Sequence, residues 1–289
     1  MNKFYRFTGT AIAAVTLAAA AAAFGAPYAA AQPAAHQAAA APAIATPAPQ
    51  PMIPATLPAG AAGTSAIGNI KTVGSHNWSG YAVTGPKFRK VSATFFVPFL
   101  NCAVTPGGSD PGDFSSHWVG LDGFSSNTVE QDGIEADCSS GSPTYSAWRE
   151  VFPRSEQPFT MKIKAGDSIT ASVRYSPSSG RYRLEVFDNT NGHHRTVHQK
   201  CDVSTCKRSS AEVISEAPSD SSGILPLADY GAESFCGISI TSGSGRTGGI
   251  KSSHWSRDKI IQVNDSNAIL ARPTALNGRC FDNYWLAQS

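Results

Sequence analysis

From Ser168 to Glu185 the chain alternates apolar and polar residues. Ile169, Ala171, Val173 and Tyr175 fall between Ser168, Thr170, Ser172 and Arg174. After Pro177-Ser178-Ser179-Gly180, Tyr182, Leu184 and Val186 alternate with Arg181, Arg183 and Glu185. A period of two puts one apolar face on an extended strand, and turn-forming residues between two such runs make an antiparallel hairpin. The same pattern sets Val91, Ala93, Phe95 and Val97 against Ser92, Thr94 and Phe96 until Pro98 stops it, and Asn191-Gly192 marks a further tight turn. No stretch sustains the 3.6-residue period of an amphipathic helix. The expectation is all-β: an antiparallel two-sheet β-sandwich of the concanavalin or jelly-roll kind, which lets many half-apolar strands bury their faces against each other.

Composition divides the chain. Residues 1–31 read as a secretory signal peptide, with Lys3 and Arg6 ahead of an alanine-rich apolar run from Ala11 to Phe24 and small residues at Ala26 and Ala29 to Ala31. The run is shorter than the roughly 20 apolar residues a membrane span needs. Residues 32–67 are Ala/Pro-rich, and no Asp or Glu occurs before Asp110, so they read as a disordered linker or pro-segment acting as an extended spacer. Residues 68–289 are enough for one domain with an ample core. A secreted, extracellular protein is expected, with no membrane association once the signal is cleaved. The formal net charge is +2 without a basic run, which gives no reason to expect nucleic acid as a partner. A monomer is expected.

The six cysteines all follow the signal, and an even count in an exported chain implies disulfides. The suggested pairing is 102–138, 201–206 and 236–280, with Cys201 and Cys206 close enough to close a small loop. No C-x-x-C pair or H-E-x-x-H exists, and no metal or cofactor is expected. His193, His194 and His198 lie near a hairpin and read as exposed turn residues. There is no G-x-S-x-G elbow.

Three segments carry chemistry. In SSAEVISEAPS (209–219), Glu212, Ile214 and Glu216 share a strand face, which should be wet, a cleft or the outside because two carboxylates do not enter a dry core unpaired. In VEQDG (129–133), Gln131 shares its face with Val129 and Gly133, the glycine leaving room for a substrate backbone. In HWVGLDG (117–123) and YSAWREVFP (145–153), Trp118 shares a face with Asp122, and Trp148 with Glu150 and Phe152, a mixture that suits a groove for an extended peptide. A carboxylate can draw a proton from water and an amide N–H can hold an oxyanion, so Glu216 and Gln131 together suffice for peptide hydrolysis.

These segments, with NWSGYAV (77–83), resemble the ordered motifs of the glutamic peptidases, or eqolisins, and the chain reads as a secreted bacterial member. NWSGYAV is similar to the family's NWAG, WVGLDG to WVGIDG, VEQDG to ILQTG, YSAWREVFP to AWYEWYP, and SSAEVISEAPS to AEWIVED. Val213 stands where the family has Trp, Phe152 where it has Tyr, and Glu130 and Asp132 flank the Gln where it has neutral residues. The resemblance implies a secreted endopeptidase acting on polypeptides at acidic pH. Its catalytic residues would be Glu216 as general base and Gln131 as oxyanion donor. Trp118, Asp122, Trp148 and Glu150 would bind substrate, with Asp122 accepting a hydrogen bond from the Gln131 amide. An ordinary Glu titrates near ~4.3, which would leave the base ionised at mildly acidic pH.

Two other readings remain open. Glu130, Asp132 and Glu135 loosely match the E-x-D-x-x-E carboxylate run of some sandwich-fold glycoside hydrolases. Alternatively, Trp118 and Trp148 could stack on sugars in a non-catalytic lectin-like module.

Overall fold

The computed structural model describes residues 47–61, 64–65, 70–104, 112–202 and 206–288. The expected signal peptide and the first part of the linker lie outside the described residues. The long strands are β1 (Ile70–Ser75), β2 (Trp78–Thr84), β3 (Phe88–Phe96), β4 (Ser116–Asp122), β5 (Val129–Ser139), β6 (Ser142–Val151) and β7 (Ser168–Ser176). They continue with β8 (Arg181–Asp188), β9 (His194–Lys200), β10 (Ser210–Glu216), β11 (Ala232–Ser242), β12 (Ser256–Val263), β13 (Ile269–Pro273) and β14 (Phe281–Trp285). The one helical element among the described residues is a 3-10 turn at Cys102–Val104.

Two sheets form the expected sandwich. The first runs β6–β5–β4–β10–β2–β12–β1, antiparallel except where β12 and β1 lie parallel. The second runs β9–β8–β7–β3–β11. The hairpin read from the alternating sequence is β7–β8, in register from Ile169 opposite Asp188 to Ser176 opposite Arg181. β11 belongs to both sheets. Its start, Ala232–Phe235, pairs with β14, and from Cys236 onward it pairs with β3. The Cys236–Cys280 disulfide ties the chain at that crossing, and Cys102–Cys138 and Cys201–Cys206 complete the expected pairing. The C-terminal region closes the fold: the Phe281 ring packs edge-on to Tyr81 at 4.9 Å, and Ser79 donates to Asn283 Oδ1 at 2.6 Å.

The core lies between the sheets. Tyr81, Val83, Val119, Leu121, Ala211 and Val213 of the first sheet meet Val91, Ala93, Phe95, Ile169, Val173 and Leu184 of the second. The first sheet also has an apolar outer face, where Trp78, Trp118, Trp148, Val129, Ile214 and Ile260 cluster with Met52, Phe124 and Phe152 packed on them. That second cluster needs a cover, and part of it comes from the N-terminal side of the domain. Instead of standing off as a spacer, residues 47–55 are bound. Ala48 bridges Ser219, the Met52 N–H donates to the Gly123 carbonyl at 3.1 Å, and Pro54–Ala55 pair with Gly74–Ser75.

Candidate active site

Register alone brings the candidate residues to one face. Gly120 stands opposite both Gln131 and Glu212, and Ser116 stands opposite both Glu135 and Glu216. Directly opposed residues project from the same side of a sheet, so Gln131, Glu135, Glu212 and Glu216 all project outward, away from the second sheet. Glu150 joins them from β6, directly opposite Gln131.

Glu216 ends β10 fully buried. Its Oε1 accepts from the Gln50 backbone N–H at 2.8 Å and the Asn77 side-chain amide at 2.9 Å, and its Oε2 accepts from the Trp118 indole N–H at 3.0 Å. Burial pushes the carboxyl well above its usual range, and these donors pull it back. None of the three N–H groups can accept a hydrogen bond, so the setting is arranged for a carboxylate. The expectation of an ordinary Glu pKa is therefore corrected: burial, absent from a sequence, raises it. Of the readings of this face as wet, a cleft or the outside, open exposure is overturned, because Glu212 and Glu216 are both fully buried.

Gln131 is also fully buried, and its side-chain amide donates to Glu150 Oε2 at 2.6 Å. Glu150 is pushed up by burial first; the Gln131 bond counters this, while the charges of Glu156 and Glu216 raise it further. Glu150 thus bonds to one member of the suspected pair and feels the field of the other.

The Trp118 indole reaches Glu216 because β5 carries no side chain at Gly133. A Cβ there would sit 2.2 Å from the His117 carbonyl oxygen and 2.6 Å from the Trp118 Cβ. The room read from sequence as space for a substrate backbone is occupied by Trp118 instead. Trp78 meets Trp118 edge-on at 4.9 Å, and Trp148 completes a buried aromatic floor. Beside the floor opens a cavity of about 730 Å³ lined by Glu135, Asp137, Glu150, Phe152 and Glu156, with Pro47, Ala48 and Gln50 on its rim.

Asp122 does not hold Gln131. It has a positive φ of 70°, and its carboxylate accepts from the Arg208 and Ser209 backbone N–H groups and the Ser209 hydroxyl, at 2.5–2.8 Å. It pins the chain as it enters β10, and Glu150 takes the role the sequence suggested for it. The run of three carboxylates is split by the sheet. Glu130 and Asp132 lie on the inner face, where Asp132 accepts from the Glu185 backbone N–H, and Glu135 lies on the outer face. Three carboxyls on opposite sides of one sheet cannot flank a glycosidic bond. Trp118 and Trp148 have no exposed ring face for a sugar. Sequence reasoning missed Asn77 and Gln50 as partners of Glu216. Asn77 stood in the NWSGYAV motif, but Gln50 stood in a stretch read as spacer.

A model of the Peptidase A4 family matches residues 76–281. The chain belongs to the Peptidase A4 family. Aspergillopepsin-2 of Aspergillus niger is 26% identical over 190 residues, which are 60% of this chain and 67% of that protein. Scytalidopepsin B of Scytalidium lignicola is 33% identical over 176 residues, 57% of this chain and 64% of that one. Among solved structures, scytalido-glutamic peptidase with a transition state analog inhibitor superposes with a TM-score of 0.61 at 25% identity, covering 73% of this chain and 98% of that one. Aspergilloglutamic peptidase from Aspergillus niger gives a TM-score of 0.53 at 22% identity, covering 60% of this chain and 99% of that one, a likeness of fold. As a Peptidase A4 member with glutamic-peptidase relatives, the chain is a peptide-bond hydrolase of the glutamic class.

Proposed function

We propose that this protein is a secreted endopeptidase that hydrolyses polypeptides at acidic pH with Glu216 as general base and Gln131 as oxyanion donor. The observation that carries the reading is the Glu216 carboxyl itself: fully buried on the aromatic floor, ringed by N–H donors, and on the same sheet face as the Gln131 amide. That a solved glutamic peptidase binds a transition state analog inhibitor, and a member of the eqolisins the tripeptide Ala-Ile-His, supports a peptide as the groove's ligand.

The reaction runs in two proton transfers. Glu216 takes a proton from water, and the hydroxide so formed attacks the scissile carbonyl carbon. The carbonyl oxygen becomes an oxyanion. Gln131 has two amide hydrogens; Glu150 holds one, and the other is free to donate to that oxyanion. Donors of this kind are worth about 3–4 kcal/mol. Glu216 then returns its proton to the departing nitrogen as the C–N bond breaks, a transfer worth about 10²–10⁴-fold. Access of water to Glu216 removes part of the burial penalty, which lowers its pKa toward the acidic range where the carboxylate is the base.

The test is digestion of denatured haemoglobin from pH 3 to 8 by wild type, Gln131→Ala and Glu216→Gln, with circular dichroism as the folding control. Folded variants that lose activity support the pair. A folded variant that keeps wild-type turnover removes its residue from the mechanism.

A further inference from the structure

The second sheet buries one face in the core, and the residues that alternate with its apolar ones project from the other face. Register sorts these outer residues into rows. Lys90 of β3 stands opposite Arg174 of β7, Arg174 opposite Arg183 of β8, and Arg183 opposite His198 of β9. In the row beside it, Arg181 stands opposite Lys200. The long row takes one residue from each of four strands, so no basic run marks it in the sequence. It crosses three strand spacings of about 4.8 Å, roughly 14 Å in all.

Like charges directly opposite each other weaken a sheet. Here they are largely unrelieved. Among the described residues that project from this face, the one acid is Glu185. It pairs with Arg183 through both guanidinium ends and accepts from the Thr196 hydroxyl at 3.0 Å. Arg181 donates to a neutral acceptor, the His198 carbonyl, at 3.1 Å. The charged groups of Lys90, Arg174 and Lys200 meet no partner among the described residues. Arg174, Arg181 and Lys200 are exposed, and Lys90 is half-buried. On the other side of the long row lie hydroxyls. Ser92 and Ser172 are directly opposed, and beyond them Thr94 and Thr170 meet hydroxyl to hydroxyl at 2.8 Å. That last row ends in the Phe187 ring stacked on His194 at 5.9 Å.

We propose that this outer face docks the protein on an acidic polysaccharide, a linear chain bearing carboxylates and hydroxyls. The carboxylates lie along the cation row, where guanidinium forks match them in shape. The sugar hydroxyls meet the Ser and Thr rows, and the Phe187–His194 pair offers a plate to the C–H face of a ring. An acidic polypeptide fits this face less well. The backbone groups of these strands are spent within the sheet, and extended peptides are captured at sheet edges or in grooves. An anionic bilayer calls for apolar side chains beside the cations, and the cation rows hold none. The docking face and the groove of the candidate active site lie on opposite sides of the sandwich. A docked molecule therefore keeps its groove free.

The test measures binding of the full chain to polygalacturonate, with neutral dextran as control, by isothermal titration calorimetry. Binding to polygalacturonate alone is expected at low ionic strength. It is expected to vanish in about 1 M NaCl, where exposed charges are screened within ~3 Å. Lys90→Thr with Arg174→Thr should weaken binding about tenfold, the scale of two exposed charge contacts, while hydrolysis of a short peptide stays at the wild-type rate. Lys259→Thr with Arg272→Thr removes the same charge from the first sheet and should bind as wild type. If the first pair does not fold by circular dichroism, Arg181→Thr with Lys200→Thr reads the same face. No binding at low salt overturns the proposal, as does equal weakening by the first-sheet and second-sheet pairs. Polygalacturonate that competes with a peptide substrate places the sugar in the groove and overturns it too. Tighter binding to polyglutamate, to a single-stranded oligonucleotide or to phosphatidylglycerol vesicles gives the face to that partner instead and overturns the polysaccharide assignment.

Discussion

Gln131 and Glu150 stand directly opposite each other on paired strands, and the amide of one donates to the carboxyl of the other at 2.6 Å. An amide held at one hydrogen has its second hydrogen aimed by geometry. This makes Glu150 a positioning residue for the proposed oxyanion donor. Glu150→Ala is expected to lower kcat about tenfold to a hundredfold with little change in KM, because a misaimed donor loses transition-state contacts and not substrate binding. Steady-state kinetics on a short peptide decide it, and an equal rise in KM at unchanged kcat would assign Glu150 to substrate binding.

Trp118 tunes Glu216 through its indole N–H, which stabilises the ionised form. Trp118→Phe removes that donor and keeps much of the ring. The Glu216 pKa then rises, so the acidic limb of the pH–rate profile is expected to move to higher pH by about one unit. A profile unchanged in position would mean the indole does not bear on the ionisation that controls the rate.

A second set of carboxyls sets how stability follows pH. Burial raises Asp137 to about 7 and Glu156 to about 8, and Glu135, bonded to Glu156, is raised well above its usual value by burial and by both neighbours. Below their unfolded values of 3.8 and 4.5, both states hold the protons. As pH rises, the unfolded chain releases them first, so the folded state loses stability toward pH 7 to 8. The slope is at most about 1.4 kcal/mol per pH unit per proton, and less beside an open cavity that admits solvent. Melting temperature should therefore fall from pH 4 to 8, and Glu156→Gln should flatten that fall. A curve that rises over this range contradicts the assignment.

Gly133 allows β5 to pass under Trp118. Gly133→Ala would place a methyl 2.2 Å from a backbone oxygen that cannot rotate away. A loss of about 3 kcal/mol in stability is expected, read as a lower urea midpoint with unchanged slope. A wild-type midpoint would show that Trp118 has room to shift.

Much of this was legible in the chain before any fold was known. The alternation around Ile169 and Leu184 gave β7 and β8, and the run from Val91 gave most of β3, because a strand's side-chain period is a local property. Cys201 and Cys206 pair as their closeness suggested. The motifs around Trp118, Gln131, Trp148 and Glu216 fall on one face of the first sheet. Other parts were not legible. The family resemblance suggested Asp122 as the partner of Gln131, but its carboxylate, at a residue of positive φ, is held by Ser209 instead. Residues 47–52 read as spacer because their composition is Ala/Pro-rich, whereas the backbone bonds that hold them go to Ser219 and Gly123, far away in the chain.

The sequence by itself determined that the chain forms antiparallel strands with two distinct faces, and which residues ride on each. Which faces meet was decided by the tertiary structure. The pairing of β4 with both β5 and β10 carries Gln131 and Glu216 to one side of one sheet, and the bond from Gln50 to Glu216 spans 166 positions. The reason is physical: periodicity acts between neighbours along the chain, whereas burial, pKa and the occupant of a groove depend on segments that become neighbours only when the sheets close.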